Sequence, residues 1–262
     1  MNPLLTNPKN HPDWLAPHSL PWYEQLASLT GEYEYPWRST ITEPNGESLF
    51  TEEVARMVPS KKVLDIGCGH GAFTMRWSTE AMQIVGLDAT ESFVQTAKET
   101  SHPNVSFVVS NTKAPLPFEE GEFDCAYNRK GPTSVYPHCK RIIKKGGQIL
   151  GLHPGDLLSA ELSEWFPQLF EPRPAGTPIL DNLTKRLGQA GFSHLDIEPV
   201  TSTEYFLSPL DVIKMRCFGQ QPALTQQTIE LHLESVQQIF DKHATAKGLP
   251  VTFAHYFVRV IV

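Results

Sequence analysis

A short apolar strand breaks into glycines at alternate positions in the run Val63-Leu64-Asp65-Ile66-Gly67-Cys68-Gly69-His70-Gly71. A helical-looking segment, Ala72 to Glu80, leads out of it. Few folds accommodate that order. Glycine has no Cβ, so the backbone at such a turn can come close to a ligand. A strand-to-helix turn also aims helix N-terminal N–H groups at that ligand. The spacing is G-x-G-x-G and not the G-x-G-x-x-G of the dinucleotide fingerprint. It points away from a nicotinamide oxidoreductase and toward another nucleoside ligand.

The second strand adds to this. Gln83-Ile84-Val85-Gly86-Leu87-Asp88 is apolar and ends in an acid, 23 residues after Asp65. In doubly wound sheets an acid at that place takes ribose hydroxyls. Further along, strands are expected near 62–66, 83–88, 105–109, 122–127 and 147–152, with helices near 71–80, 90–100 and 134–145. Strands alternating with helices imply a parallel sheet in an α/β fold. Thr90 is placed to cap the second of these helices. The third is expected to end in the basic, glycine-stopped Lys144-Lys145-Gly146-Gly147. Helices over 22–29, 47–57 and 179–190, a sixth strand over 193–200 and a last strand over 251–262 complete the pattern. A longer helix is expected over 225–247, with the apolar stripe Ile229, Leu233, Val236 and Phe240. The chain divides into an N-terminal arm, 1–45, and a domain, 46–262, with cap insertions near 153–178 and 201–249. The insertions are too long for plain connections.

Composition narrows the function classes. A hydrophobic fraction of 40% over 262 residues suffices for a sizeable core. No apolar run reaches the length of a membrane span. Pro and His interrupt the N-terminus where a signal peptide needs an apolar stretch. Cys68, Cys125, Cys139 and Cys217 form no CxxC pair and read as reduced thiols of a cytoplasmic protein. Histidines without ligand spacing argue against a metal site. The net charge of −7 disfavours a nucleic-acid partner, because phosphate binding needs a basic surface.

The pieces VLDIGCGHGAF, IVGLDAT, LPFEEGEFDCAYN and RIIKKGGQILGL, in this order over roughly residues 50–155, resemble the class I S-adenosylmethionine (SAM)-dependent methyltransferases. The resemblance implies a doubly wound Rossmann-like sheet of seven strands, the last one antiparallel, with SAM as cofactor. It implies that Asp65, Gly67, Cys68, Gly69 and Gly71 surround the methionine part and ribose. Asp88 would take the ribose hydroxyls and Ala89 would lie against adenine. The family often has an acid and a small residue after the third strand to bond the adenine amino group. Here Asn111 and Thr112 stand there, and the Asn111 amide oxygen can accept that bond. Asn128, ending the fourth strand, would face the methionine part.

The acceptor is less legible, because methyl transfer from a sulfonium needs mainly proximity and alignment. His153 follows the fifth strand, where strand ends face the crevice, and is a candidate general base. His70 is either a base or a turn residue. Arg129 and Lys130 either bind an anionic acceptor or are solvated loop charges. Tyr33, Tyr35 and Trp37 of the arm either wall an acceptor pocket or pin the arm to its core. A small-molecule acceptor is expected, since such a cap suits an apolar pocket. A looser similarity to guanine-specific large-subunit ribosomal RNA methyltransferases, without their zinc module, keeps an RNA base as the alternative acceptor. A non-catalytic SAM-binding module is the other alternative.

Overall fold

A computed structural model describes residues 7–100 and 102–262; the first six residues of the expected arm lie outside the described residues. In chain order the elements begin with α1 (Leu20–Thr30), β1 (Ser39–Ile41), α2 (Gly46–Met57), β2 (Lys62–Ile66), α3 (Ala72–Met75), β3 (Gln83–Asp88) and α4 (Glu91–Glu99). Next come β4 (Val105–Val109), β5 (Phe123–Arg129), a 3-10 turn at Thr133–Val135, α5 (Tyr136–Ile142), β6 (Ile143–Pro154) and α6 (Ala160–Trp165). The chain ends with α7 (Pro178–Ala190), β7 (His194–Phe206), α8 (Pro209–Arg216), α9 (Pro222–His243) and β8 (Leu249–Ile261).

These elements form two compact units. One comprises Pro44–Asp156, Gly176–Val200 and Ala254–Val262. Its strands are ordered β7-β8-β6-β5-β2-β3-β4. From β6 to β4 every pair is parallel, and β8 runs antiparallel to β6. The sheet is therefore Rossmann-like with an antiparallel last strand. The chain winds from β2 outward to β4 and returns to β5 on the other side of β2. Ligands of such sheets bind at a reversal of this kind, outside the carboxyl ends of the strands, here β2 and β5.

Why these strands form is visible in their burial. Val63, Leu64 and Ile66 are all fully buried, as a parallel strand covered on both faces requires. Side chains alternate between faces. Leu64, Ile66, Val85 and Leu87 pack with Tyr136, Cys139 and Ile142 of α5 and Leu183 and Leu187 of α7. Val63 and Ile84 pack on the other face with Phe50, Val54 and Met57 of α2.

The second unit comprises the described residues up to Glu43, Leu157–Ala175 and Thr201–Phe253. Its core gathers Leu162 of α6 and Phe166 just after it with Val212, Ile213, Val236 and Phe240 of α8 and α9. β7 and β8 continue into it, and there β1 pairs antiparallel with β7, as an eighth strand the sequence did not suggest.

Several boundaries differ from expectation. The helix expected over 71–80 stops at Met75, and bonds from Trp77, Ser78 and Glu80 to the third residue before tighten the chain into turns. Those turns bury Trp77. The helix expected over 134–145 ends at Ile142, so Lys144-Lys145-Gly146-Gly147 is no helix terminus. Ile143 pairs with Phe123, and the Gly146 N–H reaches the Val262 carbonyl, drawing the segment into β6. Thr90 stands at the N-cap of α4 without a capping side-chain bond. α9 ends at His243, before Gly248, because Ala244 turns extended. Its buried stripe is Leu224, Thr228, His232, Val236 and Phe240, while Leu233 is exposed. β7 runs past Val200 to Phe206. The four cysteines are buried thiols. Among the described residues no helix is long and apolar enough to cross a membrane.

Candidate functional site

The glycine turn sits at the carboxyl end of β2, beside the reversal point. Gly67, Gly69 and Gly71 have φ of +75°, +54° and +84°, which side-chain-bearing residues avoid. What fills the space a Cβ would take differs among them. A Cβ on Gly67 would stand 2.9 Å from the Gly131 Cα. One on Gly71 would stand 2.8 Å from the Phe107 ring and 3.0 Å from the Ala97 Cβ. Only at Gly69 is there nothing within 4 Å. The expectation that all three glycines make room for a ligand thus narrows to Gly69.

The turn is bound to its neighbours by its own N–H groups. Those of Gly67 and Cys68 both go to the Leu87 carbonyl, and that of Gly71 goes to the Cys68 carbonyl. The Gly69 N–H donates to Asp88 Oδ2 at 3.0 Å. These donors of the loop are used within the protein, and α3, which follows Gly71, is one turn long. The Cys68 side chain packs with Val94, Ala97 and Phe107, and burial pushes its thiol pKa well up.

Asp88 ends β3 with its carboxylate held at the turn, since Oδ1 also accepts from the Thr90 N–H at 2.8 Å. Each oxygen keeps a lone pair for a further donor. Ala89 is exposed beside it. Asp65 is buried, and its Oδ2 accepts from the Thr74 hydroxyl at 2.6 Å and the Tyr127 hydroxyl at 2.9 Å. Burial raises its pKa to about 7, against the two hydroxyl bonds, which favour the ionised form. Sequence reasoning missed Thr74 and Tyr127. Tyr127 pairs with Asp65 across the parallel β2–β5 ladder, and one strand's sequence carries no signal of that register.

Asn128 is fully buried at the end of β5; its Nδ2 donates to the Pro132 carbonyl at 3.2 Å, and its Oδ1 has no hydrogen-bond partner. Asn111 is exposed, and its Oδ1 already accepts from the Lys113 N–H at 2.9 Å. Thr112 is buried with its hydroxyl 2.7 Å from that of Ser134.

The remaining expected residues fall elsewhere. His153 is buried, with Nε2 2.6 Å from the Tyr136 hydroxyl. Burial, with His255 nearby, drives its pKa down to about 3. A base that weak has little drive to take a proton at neutral pH. His70 is partly exposed, its ring 6.4 Å from that of Phe93. Arg129 is exposed and ion-paired: its Nε lies 2.8 Å from Glu47 Oε2 and its guanidinium 4.7 Å over the Phe73 ring. Lys130 also contacts Glu47. Burial alone would raise the Glu47 carboxyl, but the two cations hold it at about 2.

Tyr33, Tyr35 and Trp37 lie in the second unit. Each meets the Phe218 ring nearly edge-on, at centroid distances of 5.3, 5.4 and 5.7 Å. Tyr35 is exposed and stacked on Trp37 at 4.3 Å, and Trp37 Nε1 donates to Glu204.

A parallel sheet with a glycine turn and acids at two strand ends defines a nucleotide-type cofactor site of the Rossmann-like class. The methyltransferase-domain family model matches residues 63–147, spanning this turn, β3, β4 and β5. A Synechocystis sp. protein named "uncharacterized methyltransferase" is 32% identical over 184 residues, 63% of this chain and 86% of that one. The malonyl-[acyl-carrier protein] O-methyltransferase of a Paenibacillus sp. is 26% identical over 175 residues, covering 58% of this chain and 63% of that protein. A solved structure from Deinococcus radiodurans shares the fold, with a TM-score of 0.58 at 20% identity over 93% of this chain and 99% of that one. The chain belongs to the class I SAM-dependent methyltransferases. Its cofactor is accordingly SAM. One feature of the site suits that ligand: the open space before Gly69.

Proposed function

We propose that this protein transfers a methyl group from SAM to a small-molecule acceptor. The observation that carries the cofactor half is that Asp65, Asp88 and Asn128 stand toward the carboxyl ends of three adjacent strands, with Asp88 bonded to the open Gly69. In this reading Asp88 takes ribose hydroxyls while fixing the turn through Gly69. Asn128 stands toward the methionine part, and Asp65, bonded to Thr74 and Tyr127, organises the strand end before the turn. Ala89 lies against adenine, with Asn111 and Thr112 toward its amino edge. Bound there, SAM supplies an electrophilic methyl on a sulfonium. The chain's own contribution is then alignment and exclusion of water.

Two observations support a small acceptor. The relative from Paenibacillus is named for methylating an acyl-carrier-bound malonyl group. The net charge of −7 opposes a polyphosphate partner. Arg129, bound to Glu47, leaves the acceptor list and joins the residues that shape the cofactor site.

The test is a transfer screen with methyl-labelled SAM against small carboxylic acids, phenols, carrier-bound acyl groups and ribosomal RNA. Label in a small or carrier-bound organic acid or phenol supports the reading. Label in RNA alone, or cofactor binding with no transfer to any class, overturns it.

A further inference from the structure

We propose that Glu47 is a positioning residue for the cofactor site. Its carboxylate clamps the segment Asn128–Pro132 across the Gly67 turn by drawing Arg129 and Lys130 to one side of the chain. This rests on the cofactor lying at that turn.

Successive residues of an extended strand point to opposite faces. Arg129 and Lys130 nevertheless both reach the one Glu47 carboxylate. They do so because the chain turns left-handed at Lys130, where φ is +61°. That conformation is uncommon for a residue with a long side chain. Something must hold it, and the ion pairs to Glu47 supply the hold.

The bend at Lys130 places the next two residues. Gly131 is pressed onto the glycine turn so closely that a Cβ there would stand 2.6 Å from both the Ile66 carbonyl oxygen and Asn128 Oδ1. The Asn128 Nδ2 bond to the Pro132 carbonyl closes the segment on itself. The conformation of Lys130 thereby fixes both the Asn128 carboxamide and the back of Gly67.

The clamp has a firm footing. Glu47 lies in the first turn of α2, where Asn45 accepts from the Glu47 and Ser48 N–H groups and the Ser48 hydroxyl returns the bond. An acid there also suits the helix dipole. A capping role alone would affect stability; a clamp role would also affect cofactor affinity and access to the segment. The Glu47 side chain is only 18% exposed, so removing its charge leaves two cations without their shared partner.

The experiment uses the full chain and S-adenosylhomocysteine as probe. Its dissociation constant is measured by calorimetry, and tryptic cleavage after Arg129 and Lys130 is followed by mass spectrometry. In Glu47→Gln, affinity is expected to fall roughly tenfold or more. New cleavage should appear at these two bonds and be suppressed by saturating probe. Glu47→Asp should restore part of the affinity. Lys130→Met, which keeps the Arg129 pair, should lose less affinity, and it carries the test should Glu47→Gln not fold.

Unchanged affinity with no new cleavage in a folded variant overturns the clamp. Asp88→Ala separates the two ideas, since it leaves the clamp intact. If Asp88→Ala loses affinity and the clamp variants do not, the clamp alone fails. If the wild-type protein does not bind the probe, or neither class of variant alters binding, the cofactor placement fails and the clamp with it.

Discussion

Gly69 and Gly71 look equivalent in sequence, yet alanine at the two positions should have opposite consequences. At Gly71 an alanine must hold φ near +84°, which costs a side-chain-bearing residue about 1–2 kcal/mol. Its Cβ would also enter the space of Phe107, 2.8 Å from the ring, and of Ala97. Phe107 is itself wedged against Gly86, where a Cβ would stand 2.6 Å away, so the ring has little room to retreat. Overpacking of that kind adds about 1–3 kcal/mol. The smaller entropy of an unfolded alanine returns about 0.4–1 kcal/mol. The net expectation for Gly71→Ala is a loss on the order of 2–4 kcal/mol.

At Gly69 the φ of +54° carries a similar backbone cost. Nothing lies within 4 Å of the added methyl, so no packing cost arises. The net loss of stability should be about 1 kcal/mol or less. The methyl instead enters the space assigned to the ligand, and SAM affinity should fall roughly tenfold or more. Urea unfolding gives the stability of each variant, and calorimetry gives its SAM affinity. The reasoning is refuted if Gly69→Ala unfolds as readily as Gly71→Ala while keeping wild-type affinity.

Asp88→Ala removes the acceptor of the Gly69 and Thr90 N–H groups and the proposed ribose contact; SAM affinity should drop roughly ten- to a hundredfold in a folded variant, and an unchanged calorimetric isotherm would exclude Asp88 from the site. Asp65 has a folded-state pKa raised to about 7 by burial. Its contribution to stability is therefore fully present below its unfolded value near 4 and is lost as pH rises through 7. Asp65→Asn should abolish a pH-dependent loss on the order of 4 kcal/mol between pH 4 and 8, read from urea midpoints in the absence of SAM; an identical pH slope in the variant would refute the raised value. His153 has the opposite sign: its pKa is depressed to about 3, so its contribution is present above pH 6.5 and is lost as pH falls toward the folded value. His153→Gln should flatten the acid side of the stability curve and leave the pH profile of turnover between 6.5 and 8 unmoved. A shifted turnover profile would restore His153 as a base.

The site was legible in the sequence to the degree that single strands carry it. Asp65, Asp88 and Asn128 stand at strand ends because β2, β3 and β5 are buried and end in a polar residue or a glycine turn, a pattern local enough to read. What each of those groups touches was not legible. Asp65 is held by Thr74, in the following helix, and by Tyr127, 62 residues further on across a parallel ladder. His153 stood at the expected strand end, but only the burial of that end, and the phenol of Tyr136 beside it, make it a poor base.

The amino-acid sequence alone determined the α/β class, the strands β2, β3 and β4 to the residue, and the glycine turn. Continuous apolar runs, acids and left-handed glycines act over a few residues, and their signals survive without a partner. Tertiary structure decided which glycine faces open space and which faces Phe107 or Gly131. It also decided that the basic run at 144–147 is strand and not helix end, since Ile143 finds Phe123 and Gly146 finds Val262. It alone brought Arg129 and Lys130 to Glu47, which lies more than 80 residues before them. These outcomes depend on where distant segments stand, and a side chain's local sequence fixes its chemistry without fixing what it meets.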